Sequence, residues 1–211
     1  MTKRKFIPAL HYRILTPLID PFLNVLMKGA YVKSRLIDGL DLKGGERVLD
    51  FGCGTGTLAL MIKKAKPDCA VTGIDIDPQA LGIARDRALD LGITFVEYDG
   101  ATLPFADRSF DRAVTSFVLH HLSATEKAVA LKEIYRVLDQ DGELHVLDIG
   151  VPGSGYARLV SSLLKRLEPV EDNLLGKIPE YLSGAGFVHA GALHSENTLL
   201  GTVAFYVAKK P

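Results

Sequence analysis

The stretch VLDFGCGTGTLAL, residues 48–60, constrains this chain more than any other. Gly52, Gly54 and Gly56 fall at alternate positions, with β-forming apolar residues before them and helix-forming ones after. A strand that runs through a glycine turn into a helix presents unpaired backbone N–H groups and the positive end of the helix to a ligand. Glycines make the turn possible and let the ligand approach the backbone. The spacing departs from the dinucleotide fingerprint GxGxxG, because Thr57 stands where the third glycine of that pattern belongs.

From residue 47 onward, strand patterns alternate with helix patterns. RVLDFG, AVTGID, ITFVEYD, FDRAVTSFVL and GELHVLDIG read as strands; TLALMIKKAK, DPQALGIARDRALDLG and residues 123–138 read as helices. Asp77 before Pro78 is an N-cap pattern, Gly92 suits a C-cap, and Ser123 with Glu126 forms a capping-box pattern. Ahead of this core, Asp20-Pro21 opens a helix with Leu23, Leu26, Met27 and Ala30 at helical spacing. Beyond it, Val160, Leu163, Leu164 and Leu167 form an apolar stripe, Pro169 to Asp172 reads as a loop, and a short helix ends near Gly184-Ala185-Gly186. FVHAGALHSEN and GTVAFYVAKK then read as a closing antiparallel pair. The alternation implies a parallel sheet covered on both faces, whose ligands bind beyond the carboxyl ends of the strands.

Two acids follow those strand ends. Asp75, in GIDIDP, lies 19 residues past Gly56, where a carboxylate can accept both hydroxyls of a ribose. A nicotinamide enzyme would use the same acid. Asp99, in YDGA, can accept a hydrogen bond from the exocyclic amine of an adenine, with Ala101 and Leu103 as apolar walls.

The GxGxG loop preceded by Asp50 and Phe51 resembles motif I of class I methyltransferases that use S-adenosylmethionine. The runs DGATLPFADRSFDRAV and RVLDQDGELHVLDIG resemble the corresponding stretches of the same enzymes, from about residue 46 to 150. The most similar group is the ubiquinone/menaquinone-biosynthesis methyltransferase-like set. The resemblance implies an α/β fold, a Rossmann-like doubly wound seven-stranded sheet, mostly parallel with the last strand antiparallel, under a helical N-terminal lid. It implies a single methyltransferase domain over residues 1–211, with a lid and substrate region at 1–42, a cofactor core at 43–150 and closing elements at 151–211. S-adenosylmethionine would lie against Asp50, Gly52, Cys53, Gly54, Gly56, Asp75, Ile76, Asp99, Gly100, Ala101, Ser116 and Phe117. The glycine loop would hold its methionine part, Asp75 its ribose and Asp99 its adenine.

Methyl transfer from a sulfonium is an in-line displacement, and a base is needed only when the nucleophile must first lose a proton. SFVLHHL, residues 116–122, follows the fourth strand and borders the expected substrate region. Its two histidines should diverge in direction, and by resemblance His121 is the candidate base. His11 could reach a lid, His145 falls inside the fifth strand, and His189 and His194 lie in a late strand. No metal-ligand spacing is present. Cys53 reads as a spacer whose backbone matters.

Lys+Arg and Asp+Glu are both 25, a balance unlike that of a nucleic-acid binder. The resemblance implies a small, apolar or lipid-like acceptor. Residues 1–40 carry a net charge of +5, a pattern suited to peripheral contact with an anionic membrane surface. An apolar lid is expected from Tyr12, Leu15, Leu18, Phe22 and the helix of Leu159 to Leu167, unless these residues simply cover the sheet. Cys53 and Cys69 form no disulfide framework, which fits a reducing cytoplasmic setting. Two other readings stay open: a nicotinamide-dependent oxidoreductase, and a catalytically silent cofactor-binding partner protein. The position of Asp75 gives a direct test. Asp75→Ala should weaken S-adenosylmethionine binding by about 1–3 kcal/mol, the value of charge-assisted hydrogen bonds; an unchanged dissociation constant by calorimetry would show the ribose to be misplaced.

Overall fold

A computed structural model describes residues 28–165 and 170–211. The helix expected from Asp20-Pro21, the lid residues Tyr12, Leu15, Leu18 and Phe22, and also His11, Leu167 and Pro169, lie outside the described residues. The described chain begins with α1 (Gly29–Gly39) and then alternates: β1 (Arg47–Phe51), α2 (Thr57–Ala65), β2 (Ala70–Asp75), α3 (Pro78–Arg87), β3 (Thr94–Glu97) and β4 (Phe110–Ser116). A 3-10 turn (Leu119–His121) leads into α4 (Ala124–Val137), followed by β5 (Leu138–Ile149), α5 (Gly155–Leu164), α6 (Glu171–Leu174), α7 (Ile178–Gly184), β6 (Val188–Thr198) and β7 (Gly201–Lys209).

The strands form one seven-stranded sheet in the order β3-β2-β1-β4-β5-β7-β6. β1 to β5 pair in parallel, while β7 runs antiparallel to both β5 and β6. Strand order reverses between β1 and β4, so their carboxyl ends border the crevice where such sheets take ligands.

Side-chain alternation explains why both faces are covered. Val48, Val114, Leu147, Val203 and Phe205 share a core with Val32 and Leu36 of α1, Leu58 and Ile62 of α2, and Leu81 and Ala84 of α3. Their immediate neighbours Leu49, Ala113, Val146, Ala204 and Tyr206 face the other way, against Leu131 and Ile134 of α4 and Ile178 and Leu182 of α7. Each such large aliphatic side chain contributes about 1.5–3 kcal/mol on burial. No helix of the described residues is long and apolar enough to cross a membrane.

The cap signals fold as their residues dictate. The Asp77 carboxylate accepts from the amides of Gln79 at 2.9 Å and Ala80 at 3.4 Å. Ser123 and Glu126 close their capping box in both directions. Several boundaries differ from the sequence reading. α3 stops at Arg87, and Gly92 (φ +64°) ends a turn beyond it, because the chain leaves the helix through Ala88 and a left-handed Asp90 (φ +67°). β4 ends at Ser116 rather than Leu119, where Phe117 adopts φ +59° and turns the chain out of the sheet. β5 starts at Leu138, four residues early, because Leu138 pairs with Phe110 before a bulge resets the register. Glu171–Leu174, partly expected as loop, is a helical turn.

Gly73 marks the closest approach between β2 and its neighbours. A Cβ there would stand 2.8 Å from both Cys53 Sγ and Phe95 Cδ1. Gly73→Ala should therefore destabilise the protein by about 1–3 kcal/mol through overpacking, with Phe95→Leu restoring part of the loss. Urea unfolding of the single and double variants checks this; an unchanged midpoint in the single variant would contradict the crowding.

Candidate functional site

The glycine loop is wired to the sheet beneath it. The amides of Gly52 and Cys53 both donate to the Ile74 carbonyl, at 2.8 and 3.0 Å. The Gly56 amide donates to the Cys53 carbonyl at 2.9 Å, and the Gly54 amide to Asp75 Oδ2 at 2.7 Å. The expectation that this loop offers unpaired N–H groups is thus corrected at all four positions. The amides hold the loop in shape, and what it offers instead is room. At Gly54 (φ +51°) no heavy atom lies within 4 Å of where a Cβ would stand.

Asp50 is 1 % exposed, yet no ligand is needed to account for it. Its Oδ2 accepts the Ala59 amide at 3.0 Å, so a strand residue caps the first turn of α2 from below. Burial pushes its carboxyl up to about 7, against the opposing charge of Lys33 and the Ala59 bond. Asp75 ends β2 and holds two amides, Gly54 on Oδ2 and Asp77 on Oδ1 at 3.0 Å. Burial raises its carboxyl above the usual range, and those amides oppose the shift. Each oxygen keeps lone-pair capacity for a further donor. Cys53 is buried, and desolvation drives its thiol far up, which leaves it unsuited to nucleophilic attack.

The neighbouring loops complete the rim. Ile76, just past β2, is 43 % exposed, and its Cγ2 lies 3.7 Å from where a Cβ on Gly100 would stand. Asp99 Oδ1 accepts the amides of Ala101 at 2.9 Å and Thr102 at 3.3 Å, which fixes the loop after β3. Ser116 closes β4, and the Phe117 amide donates to the Leu147 carbonyl at 2.8 Å, tying the start of the turn to β5. His120 and His121 do not diverge as expected. Both sit in the 3-10 turn with ring centroids 3.9 Å apart, His120 buried and His121 exposed.

Two features escaped the sequence reading. Asp148, at the end of β5, is fully buried and bonds to the histidine turn. Asn173 of α6 is also fully buried, its Nδ2 donating to the Ile149 carbonyl at 3.3 Å. Only three-dimensional contact reveals their partners. On α5, Leu159 is 65 % and Leu163 57 % exposed, while Ala157 and Ser161 are buried and Val160 is half-buried.

The site suits a nucleoside-bearing sulfonium. A carboxylate with spare lone pairs can accept two hydroxyl donors, an exposed isoleucine can cover one face of a flat ring, and an open glycine admits a chain beside the backbone. The fold is a doubly wound sheet with a glycine loop at its switch point, where such sheets take ligands. A family model described as "Methyltransferase domain" matches residues 48–142. The demethylmenaquinone methyltransferase of Thermus thermophilus is 38% identical over 150 residues, covering 69% of this chain and 67% of that protein. The ubiquinone/menaquinone biosynthesis C-methyltransferase UbiE of Xanthomonas campestris pv. campestris is 38% identical over 201 residues, covering 80% of this chain and 75% of that protein. Of the corresponding Xylella fastidiosa protein, the chain spans 44%. A S-adenosylmethionine-dependent methyltransferase of Aquifex aeolicus has the same fold at a TM-score of 0.70 and 21% identity, over 98% of this chain and 100% of that one. The chain belongs to the S-adenosylmethionine-dependent methyltransferases of the ubiquinone/menaquinone-biosynthesis group.

The raised Asp50 carboxyl sets a pH dependence. Between about pH 4 and 7 the folded state binds more protons here than the unfolded state, so this group's contribution to stability falls as pH rises through that window. Asp50→Asn keeps an acceptor for Ala59 without the buried charge. Its stability relative to the wild type should rise by on the order of 2 kcal/mol between pH 5 and pH 8. Denaturant unfolding at the two pH values checks this; an offset that does not change with pH would contradict it.

Proposed function

We propose that the chain methylates a ring carbon of a small apolar quinol. The observation that carries this reading is the 38% identity to two quinone methyltransferases, extending well beyond the cofactor core. The exposed apolar face of α5, with Tyr156, Leu159 and Leu163, supports an acceptor that prefers apolar surroundings. Nothing in the reading requires a nucleic acid or a metal.

S-adenosylmethionine, when bound, supplies a methyl group already activated on a sulfonium sulfur. The residues of the chain supply position. In this reading the Gly52–Gly56 loop, with Cys53 as its spacer and Asp50 bracing the helix behind it, takes the methionine portion. Asp75 accepts the ribose hydroxyls. Ile76, Gly100 and Ala101 flank the adenine, and Asp99 accepts its amine. Ser116 and Phe117 border the point of transfer. Alignment of this kind lowers a barrier by about 7–11 kcal/mol.

The acceptor must be in its reduced form. A quinone ring is electrophilic, whereas loss of a proton from a quinol hydroxyl pushes electron density onto the neighbouring ring carbon. That proton needs a base at the turn after β4, where the sequence pointed to His121 and where His120 stands beside it. The test is turnover. The protein with S-adenosylmethionine and a naphthoquinol lacking its ring methyl should yield carbon-methylated product by mass spectrometry and proton NMR. Methylation of phenols or amines in the same panel, with none of the quinol, would overturn the acceptor.

A further inference from the structure

Asp148 gathers four donors. Its Oδ2 accepts the amides of Leu119 at 2.8 Å and His120 at 3.4 Å, and its Oδ1 accepts the amide of Ile149 at 2.7 Å. The same Oδ1 stands 2.6 Å from His120 Nδ1. An ionised carboxylate can only accept, so the ring nitrogen facing it carries the proton, and in the neutral ring Nε2 carries the lone pair. Asp148 is fully buried and His120 is 6 % exposed. A buried carboxylate behind an imidazole fixes its tautomer and stabilises the imidazolium once it forms. His121 is exposed, with its ring laid against the flank of His120.

We propose that His120, held by Asp148, is the base of the reaction, and that His121 covers it. This rests on the quinol reading above. In the step, the O–H bond of one quinol hydroxyl breaks and its proton goes to His120 Nε2. The electron pair left on oxygen feeds the ring, the adjacent ring carbon takes the methyl group, and the former bonding pair stays on sulfur. The hydrogen on that carbon then moves to oxygen, which restores the aromatic quinol. The imidazolium gives its proton to solvent, so one proton is released per turnover and no oxidant or reductant is needed.

Among the described residues, titratable groups of three elements lie around the pair. The buried Lys127 comes from α4, Asp172, which pairs with it, from α6 and Tyr206 from β7; Asp148 acts electrostatically on Lys127 and on Tyr206. Lys127 Nζ donates to the Leu122 carbonyl at 2.8 Å and lies 3.8 Å from Asp172. None of these groups is substituted in His120→Asn or His121→Asn, so the difference between those two variants isolates the histidines.

The alternative is that the pair merely locks the turn to β5. His120→Asn separates the two roles, because its amide N–H takes the place of Nδ1 toward Asp148 while Nε2 is removed. His120→Asn should fold and bind S-adenosylmethionine within about twofold of the wild type by calorimetry. Its transfer rate should fall by about 100-fold or more, and the acidic limb of its rate–pH profile should disappear. His121→Asn should lose less than tenfold and keep that limb. NMR of the ligand-free protein gives a readout independent of turnover: a low-field Nδ1–H resonance of His120, present in the wild type and in His121→Asn and absent in Asp148→Asn. The proposal falls if His120→Asn keeps its rate within threefold, if His121→Asn removes the limb, or if the wild type lacks the low-field resonance. Should His120→Asn fail to fold, the resonance and the His121→Asn profile decide alone. If the wild type methylates another acceptor and no quinol, the acceptor reading fails, and the same variants assayed on that acceptor still decide the base.

Discussion

Carboxylates at the carboxyl edge of the sheet bond to backbone amides of the segments around them, and the rest of the site depends on those bonds. Asp50 holds the first turn of α2, Asp75 holds both the glycine loop and the start of the next loop, and Asp148 holds the histidine turn. An unpaired buried carboxylate would be among the most costly groups a core could contain. Bonded to amides it becomes a clamp, since charge-assisted bonds are shorter and stronger than neutral ones. These bonds tie the loops at that edge to the sheet, and they leave open space beside Gly54.

The clamps work because the sheet beneath them cannot shift. Each strand from β1 to β5 alternates its side chains between two separate cores, and a slip of one residue would exchange the two faces. Register thus fixes the height of each strand end. Asp75 comes level with the loop after β1 because Phe51 pairs with Ile74, and Asp148 reaches the turn after β4 because Ser116 pairs with Leu147.

Much of this was legible from local pattern. The alternating elements, the Asp77 cap, the Ser123–Glu126 box and the antiparallel closing strand all follow from periodicity and from residues a few positions apart. What was not legible joins distant positions. His120 and Asp148 are 28 residues apart, and no spacing rule links them. The glycine loop was rightly placed but its amides were assigned to a ligand, because the Ile74 carbonyl that takes two of them belongs to another strand. The histidines, expected to diverge in direction, lie with their rings 3.9 Å apart and tilted by 45° in a 3-10 turn gripped by Asp148. The outward face of α5 could not be told from a buried one, since apolar periodicity gives the stripe and not what it faces.

The margins of the sheet have a consequence of their own. One margin is β3, only four residues long. The other is β6, whose pairing with β7 is interrupted by register shifts between Val188 and Gly191 and again between Ala192 and His194. A long straight outer strand invites a foreign chain to add itself by hydrogen bonding, the first step toward fibrils. Brevity on one flank and kinks on the other deny any newcomer a continuous template, so a protein with so much β-structure carries its own protection against aggregation.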